Sequence, residues 1–242
     1  MVDRPEEGRT FSATRRVRLG DVAPSGRLRL DAIARYLQDV ADDDTRDAGY
    51  SDATGWVVRR TVIDVDRFPR FLEPLSLTTW CSGTGGRWAE RRVSITGEEG
   101  GAVEAATLWV HLDPRTMRPQ PLPASFFDVF GPSTMGRRVR SALRLPDPGP
   151  DASSTRWPLR ATDLDVMHHV NNAVSWVAVE ERLAERRDLR APLRAELEHR
   201  AAIDAGSDVV LTWADAPTSL HVWLVGAAGG VPTGAMVRPL AG

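Results

Sequence analysis

The chain has 242 residues, a formal net charge of −2 and a single cysteine, Cys81. That length accommodates one large domain or two of ordinary size. One thiol excludes any internal disulfide and makes the cytoplasm the expected compartment. The charge argues against a nucleic-acid partner, no apolar run reaches the roughly 18–20 residues of a membrane helix, and the polar start does not read as a secretory signal.

Residues 1–12 read as a polar tail, and 14–19 alternate as a strand does. The turn Gly20-Asp-Val-Ala-Pro-Ser-Gly26 then enters a helical run over 28–48. In it Ile33, Leu37, Val40 and Ala41 fall at helical spacing, and Gly49 supplies a stop. Strand-like segments follow at 56–65, 75–80, 87–95 and 102–112, separated by glycine-rich turns. Residues 131–155, with four prolines, have the composition of a linker crossing a surface.

Beyond the linker the pattern restarts. Asp163-Leu-Asp-Val-Met-His-His-Val-Asn-Asn172 precedes a helical run from 172 to about 187, and strands are expected at 194–200, 208–213, 219–225 and 235–238. This half is a shorter copy of the first. Asp163 lies 142 residues after Asp21, and Val210-Leu-Thr-Trp213 echoes Leu77-Thr-Thr-Trp80 at an offset of 133. One helix beside an antiparallel meander buries its apolar stripe most simply when the sheet curls round it. The expected class is therefore α+β, with two helices under one extended sheet.

The second copy is the one equipped for chemistry, because Asp165 stands where the first has Ala23. Asn171 or Asn172 can cap the following helix through a side-chain oxygen. A helix start also presents free N–H groups, which polarise an acyl carbonyl and stabilise its oxyanion. A carboxylate or imidazole alongside can activate water, or the carboxylate can attack directly. A thioester, already activated, needs no metal for this.

Competing apparatus is missing: the chain has no Gly-x-Ser-x-Gly elbow, His-Glu-x-x-His zinc motif or phosphate-binding loop. Cys81 reads as an inert structural thiol. His168, His169 and Asp165 could all ligate a metal, but adjacent histidines point in different directions, so neither metal nor cofactor is expected. His111, His199 and His221 fall in strands and read as packing or surface residues. Glu180 shares the Trp176 face; it reads as a structural partner for an arginine, with a second catalytic group as the alternative.

These residues carry a family resemblance. The chain resembles the acyl-acyl carrier protein thioesterases of plants and bacteria across roughly residues 13–240. The marks are Leu37-Gln38, Trp56-Val-Val, Val65-Asp-Arg-Phe-Pro69, Thr79-Trp80 and Leu108-Trp-Val110 in the first half. In the second they are Asp163-Leu-Asp-Val, His169-Val-Asn-Asn172 and Leu197-Glu-His-Arg200. The resemblance implies a tandem hotdog fold. A degenerate, acyl-chain-binding hotdog would cover 13–130 and a catalytic hotdog 156–242, joined by the linker at 131–155.

It also implies hydrolysis of fatty acyl thioesters, with acyl carrier protein as the expected partner and a monomer or homodimer as the assembly. Acyl-CoA hydrolysis and non-catalytic acyl-thioester binding are the alternatives. Carried over by position, the family's catalytic aspartate is Asp165 and its histidine His169. Val170, Asn171 and Asn172 would contact substrate, with His168 and Glu180 as possible auxiliaries. Two positions depart: Met167 stands for the family's asparagine and Ala202 for its glutamate, and Asp204 could substitute only if the alignment slips. An acidic carrier would seek arginines, for instance Arg137, Arg138, Arg140 and Arg144, or Arg186, Arg187 and Arg190.

Overall fold

A computed structural model describes residues 2–50 and 55–240. Met1 of the tail and residues 241–242 of the second half lie outside them. Ten strands form one sheet in the order β1-β3-β4-β5-β2-β7-β10-β9-β8-β6, and every ladder is antiparallel. The first five are β1 (Phe11–Arg16), β2 (Trp56–Arg67), β3 (Pro74–Thr84), β4 (Trp88–Gly97) and β5 (Ala102–His111). The second five are β6 (Ser153–Trp157), β7 (Leu193–His199), β8 (Val209–Ala216), β9 (Ser219–Gly226) and β10 (Thr233–Pro239). The order within one half mirrors that within the other about the β2–β7 junction, where Val65 faces Leu193 and Arg60 faces Glu198.

Helix α1 (Leu30–Asp47) lies under the first half and α3 (Ser175–Leu183) under the second; a short α2 (Ala124–Phe130) follows β5. The predicted stripe of α1 is buried, with Ile33 and Val40 fully enclosed against Ile63, Val65, Leu77 and Val103. Gly49 ends it in the left-handed region at φ +64°, a conformation that glycine adopts without a Cβ penalty. Under the second half, Trp176, Val179 and Leu183 pack against Leu197, Leu211 and Val222. Burying each such side chain contributes about 1.5–3 kcal/mol. The arrangement is an α+β tandem hotdog.

Helix α3 is shorter than the spacing predicts. The Asn171 side chain accepts the N–H of Ala173 at 2.8 Å, so the chain makes a turn before the helix begins. At the other end Arg186 leaves the helical path and bonds Asp188, Asp215 and the carbonyls of Ala216 and Ser219.

The stretch 131–155 is tied down across the outer face of the sheet. Trp88 Nε1 donates to the Val139 carbonyl, and Trp223 Nε1 to that of Pro146. The N–H groups of Arg144 and Leu145 donate to the fully buried Glu198. Its last residues are already β6. No described helix is long and apolar enough to cross a membrane.

Candidate active site

The loop before α3 is held by its own acids. Asp163 is buried and accepts the Arg160 N–H through Oδ2 at 2.9 Å, while its carbonyl accepts the Asn171 N–H at 2.9 Å. Asp165 Oδ1 accepts the N–H groups of Met167 (2.8 Å) and His169 (3.2 Å), which closes a tight turn over Val166 and His168. Its second oxygen makes no hydrogen bond among the described residues. His168 sits at the turn's left-handed position, φ +61°, and faces solvent.

The segment after β7 pairs with this loop. Val170 donates its N–H to the Ile203 carbonyl and Ala205 to that of His168, which sets Asp204 opposite His169. The His169 Nε2 to Asp204 Oδ1 distance is 3.3 Å. A carboxylate therefore faces the imidazole although Ala202, the position expected to supply one, cannot. The signal for it was the run Ala202-Ile-Asp204; the loop–strand pairing that selects Asp204 is not visible in sequence.

The first half repeats this loop bond for bond. The pairs Gly26 N–H to Ala23 carbonyl, Arg29 N–H to Asp21 carbonyl and Leu28 N–H to Pro69 carbonyl match His168 to Asp165, Asn171 to Asp163 and Val170 to Ile203. By this correspondence Ala23 replaces Asp165, Arg27 replaces His169, and Leu30 is the counterpart of Asn172. The N–H of Leu30 donates to Glu180 Oε1 at 2.6 Å, and Glu180 also takes a bidentate bond from Arg27 at 2.9 and 2.7 Å. The N–H of Asn172 finds no acceptor among the described residues. One helix entrance is stoppered by a carboxylate; its counterpart is open.

The open entrance lies in a cleft lined by Asp165, Met167, His169, Val170, Asn172 and Ser175 on the loop side. Trp56 to Arg59, Leu112, Met117, His199, residues 200–203 and Thr233 complete it. The predicted residues Asp165, His169, Val170 and Asn172 come together here. Asn171, occupied in its local turn, and His168 do not line the cleft, and Glu180 belongs to the Arg27 contact instead. The contribution of Met117, far away in the chain, was not anticipated as part of the site. Among the described residues no group of three His, Cys, Asp or Glu is placed to hold a metal ion.

Residues 8–130 match the family model of the acyl-ACP thioesterase N-terminal domain, and residues 148–224 that of the C-terminal domain. The chain belongs to the acyl-ACP thioesterase family. An uncharacterized Mycobacterium tuberculosis protein is 33% identical over 214 residues, covering 88% of this chain and 86% of that protein. An oleoyl-acyl carrier protein thioesterase of Arabidopsis thaliana is 26% identical over 201 residues, with 71% of this chain matched to 55% of that protein. In fold, the chain is similar to a 12:0-ACP thioesterase from Umbellularia californica, with a TM-score of 0.79 at 20% identity over 95% of this chain and 96% of that one. An acyl-ACP thioesterase from Bacteroides thetaiotaomicron gives 0.75 at 19%, over 95% and 97%.

In this acyl-ACP thioesterase family member two further cavities adjoin the cleft. A small one shares Val58, Asn172 and His199 with it, and shares Trp109 with a third. The third, in the first half, is walled by Tyr50, Trp56, Cys81, Ala89, Phe126 and Phe130 together with Asp42, Glu90 and Arg91. Burial pushes the Cys81 thiol up to about 11, so it stays protonated there. Of the arginines named as carrier contacts, Arg137 is engaged by Glu90 at 2.7 Å and Arg186 by Asp188 and Asp215. Arg187 and Arg190 line an open groove together with Arg27, Arg67 and Arg70.

Proposed function

We propose that the protein hydrolyses fatty acyl thioesters carried by acyl carrier protein, at the cleft of the second half. The observation that carries this reading is the difference between the two equivalent loops. One holds Asp165, His169 and an unoccupied N–H at Asn172; the other holds Ala23, Arg27 and an N–H closed by Glu180. Family membership supports thioester hydrolysis, and the plant relatives' names support the carrier-bound form.

In this mechanism the thioester carbonyl oxygen takes the Asn172 N–H, which is worth most as negative charge develops on that oxygen. The free oxygen of Asp165 takes a proton from water, whose oxygen attacks the carbonyl carbon. The tetrahedral intermediate collapses, the C–S bond breaks, and the proton returns to the leaving sulfur through His169. The products are a fatty acid and the free carrier thiol. Asp204 orients His169. The acyl chain extends toward the apolar cavity of the first half.

A second reading, non-catalytic acyl-thioester binding, is favoured by Met167 and Ala202 at two family site positions. Thiol release from acyl-carrier-protein and acyl-CoA substrates, measured side by side across chain lengths, separates the readings. The proposal expects turnover with the carrier-bound substrate preferred, and a loss of about 10²–10⁴-fold in Asp165→Asn with the fold retained. Near wild-type turnover in that variant would sink the assignment of Asp165. Tight acyl binding with no turnover on either substrate would favour the binding protein.

A further inference from the structure

The small cavity between the cleft and the apolar pocket is lined by Ala34, Leu37, Val58, Ala173 and Trp176, as suits an alkyl chain, but polar side chains reach it too. Its walls include Thr61, Thr107, Trp109 and His199 from the sheet, with Gln38 and Asn172 from the helix side. Two of these present buried nitrogens without a partner among the described residues, Trp109 Nε1 and His199 Nε2. Buried polar atoms are nearly always paired, and an unpaired one is costly. Two orphans on one small cavity mark a place where a ligand's polar atom is received.

The two nitrogens differ in character. An indole N–H can only donate. The His199 ring is neutral, because burial and the nearby Arg59 guanidinium push its pKa down to about 4, so one ring nitrogen is an acceptor. A single hydroxyl satisfies both, accepting from one and donating to the other; a methylene satisfies neither. His199 and Asn172 wall the cleft as well as this cavity, which puts the pair one cavity inward from the thioester carbonyl.

We infer that the cavity receives a hydroxyl group carried on the acyl chain close to the thioester, so that hydroxyacyl thioesters are the preferred substrates. The hydroxyl oxygen accepts from Trp109 Nε1 and its proton is donated to His199 Nε2. The rest of the chain continues past Trp109 into the apolar pocket. This rests on the reading of the cleft as the thioester site.

The test compares 3-hydroxyacyl and unsubstituted acyl thioesters of equal length on the same carrier. In parallel, calorimetry compares the corresponding free acids, which need no turnover. A site built to bond a hydroxyl discriminates against the chain that lacks it, so kcat/KM is expected to favour the hydroxylated substrate by about tenfold or more. The hydroxy acid should also bind more tightly. Trp109→Phe and His199→Phe are each expected to shrink the ratio several-fold; a ratio taken within one variant cancels any general loss of activity. A wild-type ratio of one or less, or an unchanged ratio in both variants, overturns the inference. Absence of turnover on every thioester would instead sink the hydrolase reading. In that case tighter hydroxy-acid binding still supports the hydroxyl site, and equal binding overturns it.

Discussion

Glu180 reaches from α3 to the start of α1, where its Oε1 accepts the Leu30 N–H at 2.6 Å. The same carboxylate holds Arg27 through both oxygens, and Arg27 in turn lies over the Phe68 ring at 4.7 Å. The contact locks the two halves together at the entrance that lacks an acid and an imidazole. Glu180→Ala leaves a half-buried guanidinium and a backbone donor without partners, and removing one member of such a pair costs about 3 kcal/mol. Denaturant unfolding should register that loss, while kcat on a fatty acyl thioester stays within about threefold, the margin of a group that only packs. A hundredfold fall in kcat with the fold intact would return Glu180 to the chemistry.

His168 and Gly26 hold the same turn position in the two loops, at φ +61° and +78°. A histidine there carries strain that glycine does not, of order 1 kcal/mol or more, partly offset by the greater chain entropy glycine loses on folding. His168→Gly is therefore expected to leave stability unchanged or raise it by up to about 1 kcal/mol. Turnover should persist, since the side chain faces solvent outside the cleft. Loss of turnover at unchanged melting temperature would show that His168 acts on substrate.

Asp204 stands 3.3 Å from His169 Nε2, whereas Ala202 lines the same cleft without a carboxylate. In the proposed mechanism Asp204 orients His169, so Asp204→Ala should lower kcat by roughly 10-fold, the low end of the loss expected when a functional histidine's hydrogen-bonding partner is removed. Adding Ala202→Glu to that variant should recover much of the loss. A structural defect would not be rescued in this way. Wild-type kcat in Asp204→Ala would remove Asp204 from the mechanism.

Much of the architecture was legible because it rests on periodicity and repetition. The apolar spacing of Ile33, Leu37 and Val40 marks α1, and the Asp21 to Asp163 repeat marks two equivalent units. The loop cluster of Asp165, His169 and Asn172 was legible because it is contiguous in the chain. What was hidden depends on contacts between distant segments. Met117 reaches the cleft from beyond β5, and Asp204 faces His169 because Val170 pairs with Ile203. Residues 131–155 read as a linker crossing a surface, but their composition says nothing of Glu198, whose buried carboxylate anchors them. His199 read as a packing or surface residue, since a strand histidine gives no sign that its Nε2 will be buried without a partner among the described residues.

That nitrogen also makes a pH prediction. His199 as a whole keeps some exposure, but Nε2 is enclosed, and it is this atom whose desolvation matters. Its pKa falls from 6.5 to about 4 through burial, with the Arg59 guanidinium adding to the effect. Between those values the unfolded chain binds a proton that the folded protein refuses. Stability therefore rises with pH across this window and is lost as pH falls from about 6.5 toward 4. The full contribution is up to about 3 kcal/mol. Other groups titrate in the same range, so the informative quantity is a difference. The unfolding free energy of the wild type minus that of His199→Phe should decline steadily as pH drops from 7 to 4.5, because only the wild type carries this imidazole. A difference independent of pH would mean that His199 protonates in the folded state as readily as in the unfolded chain, and that its ring nitrogen is solvated after all.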